Sequence, residues 1–357
     1  TSWNTAANWS NQPGGAGGAG VPGTNDYAVF DSNSVQACIF DTNPSIYTLV
    51  IDGYAQTINM NSYDLTTQRE MILASGAVTF TANGNVTIGT DYVQTAGTFT
   101  SSYNKTFTVG GSFSIPRTAG AFSRFSGSGT SGSPYMIYDI YGLEAINCYL
   151  NNGSVYFRLA NSIDATNTVN WNSAAGFLPI GTSGSIFQGN FNGQGYVVVN
   201  LYINRPSESY AALFGYVYGT ISNVGLVNLN ITGGYQTAGL VGTLANWSTP
   251  ATVTYCYVTG SILGSSMVAG LVANSYKGTI SNSYSTANVT ATSGTAGGLV
   301  GQSHTSSNTI TDCYVTGNVS GLSQVGGLIG YASVTIIKNS FATGNVTGNA
   351  SNNYVGP

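Results

Sequence analysis

Five short stretches decide how this chain is read: Ala211-Ala-Leu-Phe-Gly215, Ala238-Gly-Leu-Val-Gly242, Ala269-Gly-Leu-Val-Ala273, Gly297-Gly-Leu-Val-Gly301 and Gly326-Gly-Leu-Ile-Gly330. Their leucines, Leu213, Leu240, Leu271, Leu299 and Leu328, recur at a nearly even interval of roughly 28 residues. A second word recurs between them: Ile221-Ser-Asn-Val-Gly225, Val253-Thr-Tyr-Cys-Tyr257, Ile280-Ser-Asn-Ser-Tyr284, Ile310-Thr-Asp-Cys-Tyr314 and Ile337-Lys-Asn-Ser-Phe341. A third follows each, at Asn230-Ile, Ser261-Ile, Asn288-Val, Asn318-Val and Asn345-Val. Self-similarity at a nearly fixed period is the mark of a solenoid, with the slack absorbed by loops.

Each word is rich in Val, Ile, Thr and Tyr and bounded by Gly, Asn and Ser, which reads as a short strand. No window holds the i, i+3, i+4 apolar pattern of a helical repeat. Three strands in about 28 residues make one coil of a parallel β-helix, each coil bonded to the next at about 4.8 Å. The fold expected is therefore all-β, a right-handed parallel β-helix with coils of about 22–31 residues. The five leucines stack as an internal ladder, one per coil. The glycine before each Leu-Val pair is expected to take φ > 0 at a tight corner.

The (G)-G-L-V-G element followed by I-x-N-C/S-Y-x-x-G-x-V resembles the GLUG repeat of exported bacterial and archaeal surface proteins. Phe187-Gln-Gly-Asn-Phe-Asn-Gly-Gln-Gly195, running into Leu201-Tyr-Ile-Asn204, resembles the segment that precedes such repeats. The resemblance runs from about Ser133 to the C-terminus, with Ala273 in place of the usual Gly. It implies an exported, adhesin-like β-solenoid or a non-catalytic part of an immunoglobulin A protease. It brings no catalytic residues.

Upstream, Asn85-Val-Thr-Ile-Gly89 and Phe107-Thr-Val-Gly-Gly111 mark successive coils that are shorter, at about 22 residues each. Met71-Ile-Leu73 leaves a short helical turn open. Four segments follow: 1–33, a cap with a Gly/Pro-rich loop; 34–132, the first coils and a hinge from 116; 133–208, the entry to the repeats, where the resemblance implies a short helix near Tyr141–Asn147; and 209–357, the repeat body. Trp3 and Trp9 read either as a cap on the first coil or as a platform for sugar rings. The sequence ends at Tyr354-Val-Gly-Pro357, within a further repeat word, so another molecule or more chain is expected to cover the last coil. Trp3, Trp9, Tyr354 and Val355 are thus the candidate residues of an end-to-end interface.

Only 6 % of the 357 residues are charged, against roughly 25 % in ordinary domains. A net charge of −4 with eight cationic side chains argues against nucleic acid or an anionic membrane as partner. Nothing approaches the roughly 18 apolar residues of a membrane helix. No signal peptide is visible, and Thr1-Ser-Trp3 suits a cleaved mature chain.

Chemistry is sparse. Glycoside hydrolysis needs two carboxylates about 5–10 Å apart, yet Asp312 is the sole acid from 209 to 357, and Asp139 with Glu144 is the nearest upstream pair. His304, the single histidine, reads as an exposed loop residue and excludes a two-histidine metal site. A lone calcium site at Asp26 or Asp31 is the only metal reading, and no cofactor is implied. Cys256 and Cys313 share a slot two coils apart, about 9.6 Å, which is beyond disulfide reach. Cys38 and Cys148 leave one bridge open. Asn230, Asn288, Asn318 and Asn345 head N-x-S/T triplets, either glycosylation sites or a by-product of the repeat word.

The function expected is a non-enzymatic extracellular structural or adhesive surface protein, self-associating end to end into a filament or layer. Its partners would be further copies of itself and a surface carbohydrate or host ligand. The alternatives are a carbohydrate-binding or carbohydrate-active β-helix, or a fragment of a larger adhesin.

Overall fold

The computed structural model describes residues 1–246, 248–304, 308–348 and 355–356. It divides into two compact units. The first comprises 1–125 with 147–149 and 170–173; the second comprises 126–146, 150–169 and 174–357. All strand pairing between the named strands of both units is parallel, so the chain forms a parallel β-helix.

In the first unit, three sheets of five, five and four strands form the walls. Tyr27 lies opposite Thr48, Leu49 opposite Met71, Met71 opposite Tyr92, and Tyr92 opposite Phe113, the short advance per coil that the upstream words imply. Alternation decides what faces inward: Val86–Ile88 runs buried, exposed, buried, and Thr98–Ser101 runs exposed, buried, exposed, buried. Met71–Leu73 obeys the same rule, with Met71 and Leu73 buried. It is a strand and not a helical turn. Rings fill the interior: Phe80, Phe99 and Phe122 share a column with Ile58 and are flanked by Tyr92, Phe107 and Phe113. Trp171 is fully buried with its centroid 5.0 Å from that of Phe113. Within the stretch read as a hinge, Phe122–Ser123 is a strand. Arg124 there is buried, donating to Ser101 Oγ and the Ser102 carbonyl at 2.8 and 2.7 Å.

The second unit opens with the strand Tyr135–Ile137, followed by the helix Ile140–Ala145, capped by Asp139, whose carboxylate accepts the Gly142 N–H at 2.9 Å. Four sheets follow, of eight, eleven, five and five strands. Phe191, Ile221, Val253, Ile280, Ile310 and Ile337 stand opposite one another in successive coils. The coil before them is longer than any in that column. Phe157 lies opposite Phe191, and the single-turn helix Thr166–Asn170 is inserted between the two.

The leucine ladder is present. Leu213, Leu240, Leu271 and Leu299 are fully buried and Leu328 nearly so. The N–H groups of Leu240, Leu271 and Leu299 donate to the carbonyls of Leu271, Leu299 and Leu328 at 3.2, 3.1 and 2.9 Å. Each buried leucine contributes about 1.5–3 kcal/mol of apolar burial.

The glycines before these leucines act differently from expectation. Gly239, Gly270 and Gly298 are not among the residues with positive φ. Close approach is what excludes a side chain. A Cβ on Gly270 would stand 2.0 Å from Ser285 Oγ and 2.2 Å from the Gly298 carbonyl oxygen, and one on Gly298 would stand 2.1 Å from the Gly327 carbonyl oxygen. The left-handed corner lies in the second word, at Asn223, Tyr255, Asn282, Asp312 and Asn339, with φ between 48° and 55°. Asn and Asp tolerate that region because their short polar side chains bond locally; Tyr255 is the departure.

Candidate functional surfaces

The last position of the second word builds a continuous aromatic stack. Tyr257, Tyr284, Tyr314 and Phe341 are opposite one another in register. Their ring centroids are 4.9, 4.6 and 5.7 Å apart and their planes within 3°, 7° and 12° of parallel. In the coil before, Gly225 leaves room for the Tyr257 ring, which a Cβ there would meet at 2.2 Å. Rings stacked this way cover one another's faces and present edges and hydroxyls outward. Burial, then the neighbouring Tyr314 and Tyr257, push the Tyr284 hydroxyl above its ordinary pKa. No sequence reading singles out this stack, although Tyr257, Tyr284, Tyr314 and Phe341 share one slot of the repeat word.

The sequon asparagines Asn230, Asn288, Asn318 and Asn345 are exposed. Two of them also tie coils together. The Asn318 N–H donates to Asn288 Oδ1 at 3.3 Å, and the Asn345 N–H to Asn318 Oδ1 at 3.1 Å. The first unit has the same device: the N–H groups of Asp64, Asn85 and Thr106 donate to Oδ1 of Asn43, Asp64 and Asn85 at 2.9, 2.7 and 2.9 Å. At each corner the side chain satisfies a backbone donor that the sheet ladder leaves over.

The carboxylates are occupied in the same manner. All twelve accept a hydrogen bond from a backbone N–H or a neighbouring side chain. Asp139 caps its helix, and Glu144 is fully buried with Oε2 accepting the Leu178 N–H at 2.9 Å. A buried Glu144 cannot meet a polysaccharide. Hydrogen bonds from the Thr166 side chain and N–H hold Asp164 below its ordinary pKa. Among the described residues no group of three His, Cys, Asp or Glu side chains could hold a metal ion.

His304 is not a free loop side chain. It is half-buried and stacked on Tyr276, with centroids 4.6 Å apart and planes within 8°. Burial lowers its pKa, so the imidazole is neutral at neutral pH. The four cysteines are buried free thiols. Cys256 and Cys313 alternate with serines along one column, their N–H groups donating to Ser283 and Ser340 Oγ at 3.1 Å each. Burial pushes the Cys256 thiol up to about 12, leaving it protonated and unreactive.

Trp3 lies inside the first unit, 1 % exposed, with centroids 4.7 Å from Phe40 and 4.7 Å from Trp9. Such a ring offers no face to a sugar or to another molecule. Trp9 is half-buried, and its indole N–H donates to the Trp3 carbonyl at 2.8 Å. At the other terminus of the sequence, Val334, Ile336, Ile337 and Phe341 are 46–56 % exposed, although Ile310, one coil earlier in the column of Ile337, is buried. Tyr354 lies outside the described residues. Val355 is placed by its backbone alone, in the strand Val355–Gly356 opposite Val325–Gly326.

Comparison with known proteins agrees with this geometry. Residues 321–347 match the GLUG motif. A halomucin of Haloquadratum walsbyi is 38 % identical over 152 residues, 42 % of this chain and 2 % of the relative. A candidate Gly-rich membrane protein of Evansella cellulosilytica is 37 % identical over 123 residues, 33 % of this chain and 14 % of that one. An immunoglobulin A1 protease of Streptococcus sanguinis is 32 % identical over 225 residues, 57 % of this chain and 11 % of the protease. The chain thus spans a small fraction of the length of these relatives. Among solved structures, a candidate immunoglobulin A1 protease from Bacteroides ovatus is similar, with a TM-score of 0.50 and 21 % identity over 65 % of this chain and 86 % of that one. At that identity the likeness concerns the fold.

Proposed function

We propose that this GLUG-motif chain is a non-enzymatic, extracellular surface protein, structural and adhesive in role, that associates end to end with further copies of itself. The observation that carries the reading is the repeat body itself. Its outward ladder of Tyr257, Tyr284 and Tyr314 and its sequon asparagines offer a long neutral surface. Its one carboxylate, Asp312, is bonded to Asn339. The halomucin and membrane-protein relatives support a place outside the cell. The protease relatives leave the reading intact, since the chain covers only 11 % of one of them.

Self-association is supported by the exposed apolar side chains Val334, Ile336, Ile337 and Phe341 and by the low charge of the chain, which leaves little repulsion between copies. Mass photometry and electron microscopy across a concentration series test it. Assemblies that dissociate when Ile337→Asp and Phe341→Asp are combined are expected. Single-chain particles at every concentration would sink the association while leaving the surface role standing.

A further inference from the structure

We propose that a recess over the first coil of the chain binds a neutral oligosaccharide. The recess encloses about 630 Å³ between the Gly/Pro-rich loop around Gln12–Pro22 and the strand Tyr27–Asp31. Small-ligand sites span about 300–1,000 Å³, so a short glycan fits.

Three aromatic side chains line it: Trp9, Tyr27 and the buried Phe30. Trp9 is held in one orientation by its bond to the Trp3 carbonyl and by edge contacts with Trp3 and Phe30, at 4.7 and 5.6 Å between centroids. Little side-chain freedom remains to be lost on binding. Tyr27 is 61 % exposed and meets Tyr47 edge to face, 64° between planes, so most of its ring is open to solvent. This differs from the repeat-body stack, where parallel rings cover each other's faces. Sugar C–H faces pack on open aromatic faces, and sugar hydroxyls require convergent polar groups beside them.

Those groups are present. Gln12, Asn33 and Gln36 bring amides to the recess, and Asp31 brings a carboxylate. Asn33 and Ser34 fix that carboxylate, the Asn33 N–H donating at 2.9 Å and its amide at 3.1 Å. Burial pushes the Asp31 pKa up, but these hydrogen bonds outweigh it, and the group sits below the ordinary carboxylate range. Asp26 is the second acid of the lining, and no Lys, Arg or His side chain contributes. Two carboxylates against the single Thr1 ammonium, which donates to the Ala37 carbonyl, leave the recess net negative, which disfavours uronates, sulfates and phosphates and favours an uncharged sugar.

Isothermal titration of the full chain with cellotetraose, maltotetraose and mannotetraose, and with tetragalacturonate as the charged control, tests the proposal. At least one neutral tetrasaccharide is expected to saturate below about 10 mM, with tetragalacturonate weaker. Tyr27→Ala is expected to weaken that binding about tenfold without changing the unfolding midpoint, because the side chain is largely exposed. Trp9→Ala is expected to weaken it further, with the same fluorescence-detected unfolding run as its folding control. Failure of all three neutral sugars to saturate overturns the proposal. So does affinity unchanged in Tyr27→Ala, or tighter binding of the charged sugar.

Discussion

The two units solve one problem by opposite means. Both wind parallel coils and both must fill the space those coils enclose. The first, with the shorter coils, fills it with side chains: Tyr92, Phe99, Phe107, Phe113 and Phe122 meet in edge and stacked pairs, with centroids 5.3–6.2 Å apart. The second, with longer coils, fills it with main chain. Its extra sheet, running through Tyr235–Ala238, Ser266–Ala269 and Ala296–Gly297, packs against the sheet that carries Phe214–Val217, Val241–Leu244 and Val272–Ser275. Backbone meets backbone there: a Cβ on Gly242 would stand 2.9 Å from the Tyr210 Cα, and one on Gly330 would stand 2.6 Å from the Ala296 carbonyl oxygen. Longer coils therefore do not call for larger core residues. They call for glycine and alanine, which is why the repeat word is spelled as it is.

If that contrast is right, the largest loss comes from removing a ring in the first unit. Phe99→Ala takes away a fully buried ring with four aromatic neighbours and should cost about 3–5 kcal/mol in a denaturant titration. In the second unit the damaging change is an addition. Gly270→Ala places a methyl against Ser285 Oγ and the Gly298 carbonyl and should cost about 1–3 kcal/mol. A Gly270→Ala variant as stable as the parent would show that the extra sheet has slack and break the comparison.

A smaller effect tests what the units share. Asp64→Ala leaves the Asn85 N–H without its side-chain acceptor and should cost about 1 kcal/mol, while Asp64→Asn, which keeps Oδ1, should restore most of it. Equal loss in both variants would mean that the charge, and not the corner hydrogen bond, matters. The smallest change runs the other way. Tyr255 has φ of 53° where the other four coils have Asn or Asp, so Tyr255→Asn should raise stability by about 1 kcal/mol by thermal unfolding. Since Tyr255 is 60 % exposed, little packing is lost in exchange.

The repeat words make the coil legible because a solenoid repeats its chemistry wherever it repeats its geometry. The leucine column and the strand alternation can be placed by residue number. The role of the glycines cannot: Gly270 looks the same in sequence whether it takes positive φ or receives a neighbouring carbonyl. Met71-Ile-Leu73 is equally mute, since three apolar residues carry no period until Leu49 and Ile51 stand opposite them. His304 reads as a loop residue because its partner, Tyr276, is one coil away and nothing local announces it. Asp139 and Glu144 look like a pair by proximity in sequence, yet one caps a helix and the other turns inward to Leu178.

What the sequence determined by itself was the period, the parallel β-helix and the scarcity of reactive groups, because these depend on residue type at regular spacing. Only the tertiary structure decided which positions face which neighbours: that the rings of Tyr257, Tyr284 and Tyr314 cover one another while Tyr27 stays open, and that Trp3 is enclosed while Trp9 borders a recess. The physical reason is that composition and period specify how a coil is built. Exposure and contact depend on the coil above, the coil below and the sheet behind, and those lie about 20 to 35 residues away along the chain.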